Sequence, residues 1–372
     1  MKKVFALLAT LVLAFTLVAC GDDDDDDTGE YDIAMITDAG DIDDESFNQG
    51  TWEGIVAYAE LNDISHRYYR PAEVSDQAYI DAINLAVRNG AEIVITPGFL
   101  FEVAIHTAQE DHPDVTFVII DGAPHPGDYN INIGENTVSV MFAEQESGFL
   151  AGYAAVVDGY RDLGFMGGMA VPAVQKFGIG FIAGAYYAAD ELDVEISFPD
   201  NRYDYLGNFD ATAENKDAAL AWYNSGTEII FAAAGGAGSS VMAAADDEGK
   251  MMIGVDVDQA SLSTTVLTSA KKELAISIQD ILSQYYDNDF PGGEQVIYDA
   301  SNDGIGLPMN TSRFEDFGRL DYYPIYLDIA LGELEVPTLN PGDDDISLED
   351  FFTEHGLDDL DIEIDTIIPP SS

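Results

Sequence analysis

The chain has 372 residues, of which 47% are hydrophobic, enough to build a core for two domains of ordinary size. Its 70 acidic side chains stand against 14 basic ones, a net charge of −56, which excludes nucleic acid and anionic lipid headgroups as partners because both need a basic surface. The acidic excess runs along the whole sequence and reads as a solubility adaptation to saline surroundings, where salt screens self-repulsion.

Lys2-Lys3 opens a short basic segment, an apolar run follows from Val4 to Val18, and Leu17-Val18-Ala19-Cys20 closes it. This predicts a secretory signal over residues 1–19. The run is too short for a comfortable transmembrane span, which needs about 20 apolar residues. The tetrapeptide resembles the lipobox of bacterial lipoproteins. Cys20, the only cysteine, is then a lipid acceptor, and no disulfide can form. Asp22 to Asp27 form an unbroken acidic run, so residues 20–30 read as an extended spacer. Six adjacent carboxylates lack the ligand spacing of a folded cation loop.

From Tyr31 onward strand and helix patterns alternate. Strands are predicted at Asp32–Thr37, His66–Tyr69, Glu92–Thr96 and Val115–Ile120, with helices at Phe47–Glu60, Ser75–Asn89 and Phe101–Asp111. The alternation restarts with a helix at Ala143–Val157. Strands follow at Asp162–Met166, Glu195–Phe198, Glu228–Ala232 and Met251–Val255, interleaved with helices at Val174–Asp190, Asp210–Asn224 and Ser239–Glu248. Thr265–Thr268 and Lys271–Tyr286 read as a further strand and helix. Beyond Pro291 one strand, Gln295–Tyr298, precedes an acidic, Pro-containing tail. Continuous apolar strands between helices indicate parallel sheets covered on both faces, and two such units in succession indicate a two-lobed α/β protein.

In open parallel sheets ligands bind beyond the carboxyl ends of the strands. Those ends carry Asp38, Pro97-Gly98 and Asp121-Gly122 in the first unit. In the second they carry Gly167-Gly168, Leu206-Gly207-Asn208-Phe209, Gly235-Gly236-Ala237-Gly238 and Asp256-Val257-Asp258. Carboxylates there would repel phosphate but suit polyhydroxyl or amide-bearing ligands, since one carboxylate accepts several hydrogen bonds. The glycine run is neither a Walker loop nor the dinucleotide fingerprint, and it serves equally as a tight strand-to-helix turn. Phe47 and Phe177, just past rim strands, are either core residues or faces for a flat ring. No Gly-x-Ser-x-Gly elbow is present, the five histidines lack metal-ligand spacing, and no cofactor is indicated. The rim aspartates leave a hydrolase formally open, and a ligand sensor on the same fold is a further alternative.

The stretch Ile36-Thr37-Asp38-Ala39-Gly40-Asp41-Ile42-Asp43-Asp44-Glu45-Ser46-Phe47-Asn48-Gln49, followed by Trp52-Glu53-Gly54, resembles the opening motif of the basic membrane protein family of lipoproteins. These are similar to purine-nucleoside receptors that serve ABC transporters. Phe117–Asp121, Glu146–Gly152, Gly167–Met169, Phe177–Phe181, Ala234–Gly238, Gly254–Gln259 and Leu267–Ser269 with Lys272 agree in order, so the resemblance spans about residues 31–307. The family usually carries Thr where Ala237 stands.

The resemblance implies a type I periplasmic-binding-protein fold, two Rossmann-like lobes joined by a three-stranded hinge crossed near residues 143, 256 and 293. It places the first lobe at 31–142 plus 257–292, the second at 143–256 plus 293–340, and an acidic tail at 341–372. It assigns Phe47 and Phe177 as rings stacking on the base. Asp38, Asn48 and Asp121 would hydrogen-bond base or sugar from the first lobe, and Asp256 would take the ribose hydroxyls. Gly236 would offer backbone donors and Phe209 a further wall. Lys272, or its neighbour Lys271, would reach the sugar. It further implies no enzymatic activity, a nucleoside ligand, permease and ATPase partners, and a lipid-anchored site outside the cytoplasmic membrane.

Overall fold

In the computed structural model the described residues are 31–198, 202–339 and 345–357. The signal segment, Cys20, the acidic spacer and most of the acidic tail lie outside them.

Each lobe is built on strands short and apolar enough to be buried on both faces. The first contains β1 (Ile33–Ile36), α1 (Phe47–Asn62), β2 (His66–Tyr69), α2 (Asp76–Arg88), β3 (Ile93–Pro97), α3 (Glu102–Asp111), β4 (Thr116–Ile120) and β5 (Thr137–Phe142). The second contains α4 (Glu144–Val157), β6 (Leu163–Gly167), α5 (Pro172–Leu192), β7 (Tyr203–Tyr205), α6 (Ala213–Asn224), β8 (Ile229–Ala233), α7 (Gly238–Glu248), β9 (Met251–Asp256) and β10 (Val266–Lys272). Then come α8 (Leu274–Tyr286), β11 (Gln295–Tyr298), β12 (Ile305–Gly306), α9 (Arg319–Ala330) and α10 (Leu348–Glu354). The two six-stranded sheets run β2-β1-β3-β4-β5-β11 and β7-β6-β8-β9-β10-β12. Every pairing is parallel except β10 with β12. Every residue of β1, β3, β6 and β8 is buried, as the apolar runs require.

The sheets divide the chain differently from the expected lobe boundaries. Val266–Lys272 pairs with β9 in the second sheet, and Gln295–Tyr298 pairs with β5 in the first. Helix α8 packs on α1. The chain therefore crosses between lobes at Ala143, at Glu273 and within Asp299–Gly304, so two crossings lie well beyond the expected 256 and 293. The crossing segments are tied together: Ala143 N donates to Tyr298 O at 3.0 Å and Glu273 N to Gly304 O at 2.9 Å. Three local expectations are also corrected. Lys271 and Lys272 end a strand instead of starting a helix. Glu195–Phe198 makes only a single bridge, Ser197 with Asp162, and the edge strand is Tyr203–Tyr205. The acidic stretch after β11 is not a bare tail, since α9 and α10 form and Phe351 is fully buried against Phe149.

Helices α4 and α5 approach so closely that only glycine fits. An added Cβ would lie 2.2 Å from Phe177 O at Gly148 and 2.1 Å from Phe181 O at Gly152. On the facing helix it would lie 1.9 Å from Gln145 O at Gly180 and 2.0 Å from Phe149 O at Gly184. The paired small-residue spacing sets α5 hard against α4 and fixes where Phe177, in the second turn of α5, meets the cleft.

Candidate functional site

The carboxyl ends of both sheets face one cleft with a cavity volume of about 290 Å³. Its wall includes Asp38, Phe47, Asn48 and Asp121 from the first lobe and Phe177, Phe209, Gly236, Asp256 and Lys272 from the second. The structure thus brings every residue singled out as ligand-binding to one surface. Of the two adjacent lysines, Lys272 lines the cleft, while Lys271 turns away to Glu273 at 2.7 Å.

Lys272 is the centre of the site. Its Nζ lies 2.5 Å from Asp121 Oδ2, 3.4 Å from Asp256 Oδ1 and 3.6 Å from Glu144 Oε1. The same ammonium sits 4.6 Å from the centroid of the Phe47 ring and 5.5 Å from that of Phe177. Burial works against its charge, but the three carboxylates outweigh it and raise the Lys272 pKa further above the ordinary lysine value. Burial pushes the Asp121 carboxyl up to about 7 in spite of the ammonium, with Glu144 and Asp256 adding repulsion. Glu144 is also buried, yet Lys176 at 3.2 Å and Lys272 together hold it below the usual carboxylate range. Asp121 Oδ1 is buried without a hydrogen-bond partner.

The loop before α1 builds the first-lobe rim. Asp38 Oδ1 accepts from Gly40 N at 2.8 Å and from Asn48 Nδ2 at 2.9 Å. Asn48 Nδ2 also donates to Asp44 Oδ2 at 3.0 Å. The Asn48 amide is therefore committed to two carboxylates, and the residue orients Asp38. Burial pushes the Asp38 carboxyl up to about 6, against those hydrogen bonds.

The two rings differ in setting. Phe47 is half-buried, whereas Phe177 is 2% exposed and meets Phe231 edge-on at 5.8 Å. Phe209 lies on the loop after β7 and is partly buried. Gly236 sits in a one-turn 3₁₀ segment, Gly235–Ala237, between β8 and α7.

Sequence reasoning missed four contributors. Asp44 and Ser46 lie inside the opening motif but do not stand out among so many polar residues. Glu144 starts α4 beside a crossing and has no local signal. Arg70, paired with Asp41 at the cleft mouth, could have been noticed as a rare basic residue directly after a strand. Among the described residues no cluster of His, Cys, Asp and Glu is arranged to hold a metal ion, and no helix is long and apolar enough to cross a membrane.

A family profile described as Bmp, ABC transporter substrate-binding protein PnrA-like, matches residues 32–324. The chain belongs to this family. It is a substrate-binding protein of the ABC transporter class and not an enzyme. The Bmp relatives are similar over most of their length. The ABC transporter nucleoside-binding protein BmpA of Lactococcus lactis subsp. cremoris is 31% identical over 348 positions, covering 85% of this chain and 95% of that protein. Basic membrane protein D of Borreliella burgdorferi is 28% identical over 325 positions, covering 86% of this chain and 90% of that one. A crystal structure of an ABC transporter solute-binding protein from Aeropyrum pernix K1 superposes with a TM-score of 0.68 at 21% identity, covering 84% of this chain and 95% of that one. At that identity the likeness concerns the fold alone, and it agrees with the two-lobed type I architecture of this Bmp-family chain.

Proposed function

We propose that this Bmp-family protein is a lipid-anchored, extracytoplasmic receptor that binds a purine nucleoside in its cleft and presents it to a membrane permease and ATPase. The observation that carries this reading is the pairing of Phe47 and Phe177, from opposite lobes, around a cleft otherwise rich in carboxylates. The aromatic faces suit a flat base. Asp38, Asp121 and Asp256 suit ring N–H groups and sugar hydroxyls, and the unpartnered Asp121 Oδ1 invites such a donor. Closure of the lobes would exclude water and strengthen each of these bonds. The Lactococcus lactis relative carries nucleoside binding in its name, which supports the same ligand class.

Calorimetric titration with guanosine, adenosine, inosine, cytidine, free bases and ribose tests the reading. Purine nucleosides should bind far more tightly than ribose or a base alone, without release of free base on incubation. Absence of binding heat with any nucleoside, from protein that unfolds cooperatively, would overturn it. Membrane attachment through Cys20 is tested separately: Cys20→Ala should appear in the soluble fraction while the parent stays with the membrane.

A further inference from the structure

We infer that Ser46 is a positioning residue that latches the two lobes together and fixes the Asp256 carboxylate, an inference that rests on the receptor reading for its ligand but not for its mechanics. Ser46 belongs to the first lobe, on the loop entering α1, and is completely buried. Its Oγ donates to Asp256 Oδ2, at the carboxyl end of β9 in the second lobe, at 2.5 Å. A second bond runs beside it: Gln259 Nε2 donates to Glu45 O at 2.8 Å. Gln259 is 4% exposed, and its own backbone N–H is held by Ser269 Oγ. Neighbouring residues of one lobe, Glu45 and Ser46, thus grip two residues of the other.

The local chemistry shows that Ser46 is not there to start the helix. Serine at an N-cap ordinarily accepts a hydrogen bond from a backbone N–H of the first turn. Ser46 occupies that position in α1 and makes no such bond. Asp44 does the capping in its place, accepting from Asn48 N at 2.9 Å and Gln49 N at 3.1 Å. Asp44 also accepts from Ser46 N at 2.9 Å, which holds Ser46 itself in place. The hydroxyl is thereby released to cross the cleft.

Its target needs holding. Asp256 has a left-handed backbone, φ 64°, and Glu45 across the cleft has φ 54°. Lys272 takes Asp256 Oδ1 and Ser46 takes Oδ2, so the carboxylate plane is fixed only while the lobes are together. Opening would remove the Ser46 and Gln259 bonds at once and free that plane to rotate. The latch thus couples closure to the geometry of a cleft carboxylate.

The test uses the full chain with Ser46→Ala and Ser46→Thr. Titration with guanosine and inosine should show about tenfold or greater loss of affinity for Ser46→Ala, because a hydrogen bond to a charged group is lost, with the loss in dissociation rate. Ser46→Thr, which keeps the hydroxyl, should recover most of it. A cycle with Asp256→Asn should show strong coupling between the two positions, and the circular-dichroism spectrum of Ser46→Ala should match that of the parent because Asp44 still caps α1. Small-angle X-ray scattering without added ligand reads the latch on its own, and Ser46→Ala should show a larger radius of gyration. Parent-like affinity and radius in Ser46→Ala, or equal losses in the Ala and Thr variants, would overturn the inference. If the parent binds no nucleoside the receptor reading fails, and the scattering comparison still decides the latch.

Discussion

Asp121 and Asp256 are counterparts in the two lobes. Asp121 directly follows β4 and Asp256 ends β9, strands that hold the same place in their sheets. Both have left-handed backbones, with φ of 54° and 64°, a conformation that costs a non-glycine residue free energy although Asp tolerates it better than most. Each turn aims its carboxylate at the same ammonium, Lys272, with the second oxygen of Asp256 taken by Ser46 and that of Asp121 unpartnered. The site is therefore built by repeating one strand-end device in each lobe and placing a single cation between the copies.

Lys272→Met should test that arrangement. The substitution leaves Asp121, Glu144 and Asp256 buried with only Lys176 as compensation, and breaking a buried ion pair costs about 3–5 kcal/mol. The loss should be largest near pH 8 and smaller near pH 5, where Asp121, pushed up to about 7 by burial, accepts a proton. Urea unfolding at the two pH values measures it. A loss of the same size at both would show that packing, not charge, is what Lys272 contributes.

The two cleft rings should respond differently to truncation. Phe177→Ala opens a cavity beside Phe231 and should destabilise the fold by about 3–5 kcal/mol as well as weaken ligand. Phe47, half-buried, should cost less stability but weaken nucleosides more than ribose. Chemical denaturation and calorimetry on both variants separate the effects. Equal loss of nucleoside and ribose affinity in Phe47→Ala would remove its role in stacking.

The α/β alternation and the rim residues were legible because buried parallel strands leave continuous apolar runs and because cleft-facing residues follow those runs directly. Asp38, Asp121 and Asp256 could be found by reading one residue past a strand. The crossings were not legible in the same way. Lys271-Lys272 looks like the start of an amphipathic helix, yet β10 extends to Lys272 because its backbone pairs with both β9 and β12. Sheet membership of β10 and β11 depends on pairing over long separations, which local pattern does not encode. α10 is visible only once Phe351 has Phe149 to pack on. The latch was hidden because Ser46 reads as an ordinary N-cap until its hydroxyl is seen to point elsewhere.

The glycine contact between α4 and α5 predicts a steep cost for one methyl group. Gly184→Ala places a Cβ about 2.0 Å from Phe149 O, so the helices must separate. Overpacking of this kind costs about 1–3 kcal/mol. Because the same helix carries Phe177 into the cleft, affinity should fall together with stability. A variant with an unchanged urea midpoint would mean that the helix pair has slack.

Salt should stabilise the protein. With 70 acidic against 14 basic side chains, folding concentrates like charge, and ions screen that repulsion. The midpoint of thermal unfolding should rise between 0.1 and roughly 2 M NaCl. A protein most stable at low salt would contradict the solubility reading of its composition.

Glu146 gives a pH dependence opposite to that of an ion-paired carboxylate. It lies in the first turn of α4 beside the last interlobe crossing, accepting from Ala300 N at 2.7 Å. Burial pushes its carboxyl from the ordinary 4.5 up to about 7, opposed by that hydrogen bond and reinforced by Asp299. The folded state therefore binds this proton more tightly than the unfolded chain does. Its contribution to stability is fully present below about pH 4.5 and is lost as pH rises through 7. Asp38, raised to about 6, and Asp121, raised to about 7, act in the same direction, and Glu144, held low, acts against them. At fixed high salt the parent should thus be more stable at pH 5 than at pH 8. Glu146→Gln mimics the protonated form and keeps an acceptor for Ala300 N, so it should add about 1–2 kcal/mol at pH 8 and almost nothing at pH 5. A urea midpoint that climbs from pH 5 to pH 8, or a Gln variant no firmer than the parent at pH 8, would show that Glu146 is solvated in the folded state and that the crossing it touches does not sense pH.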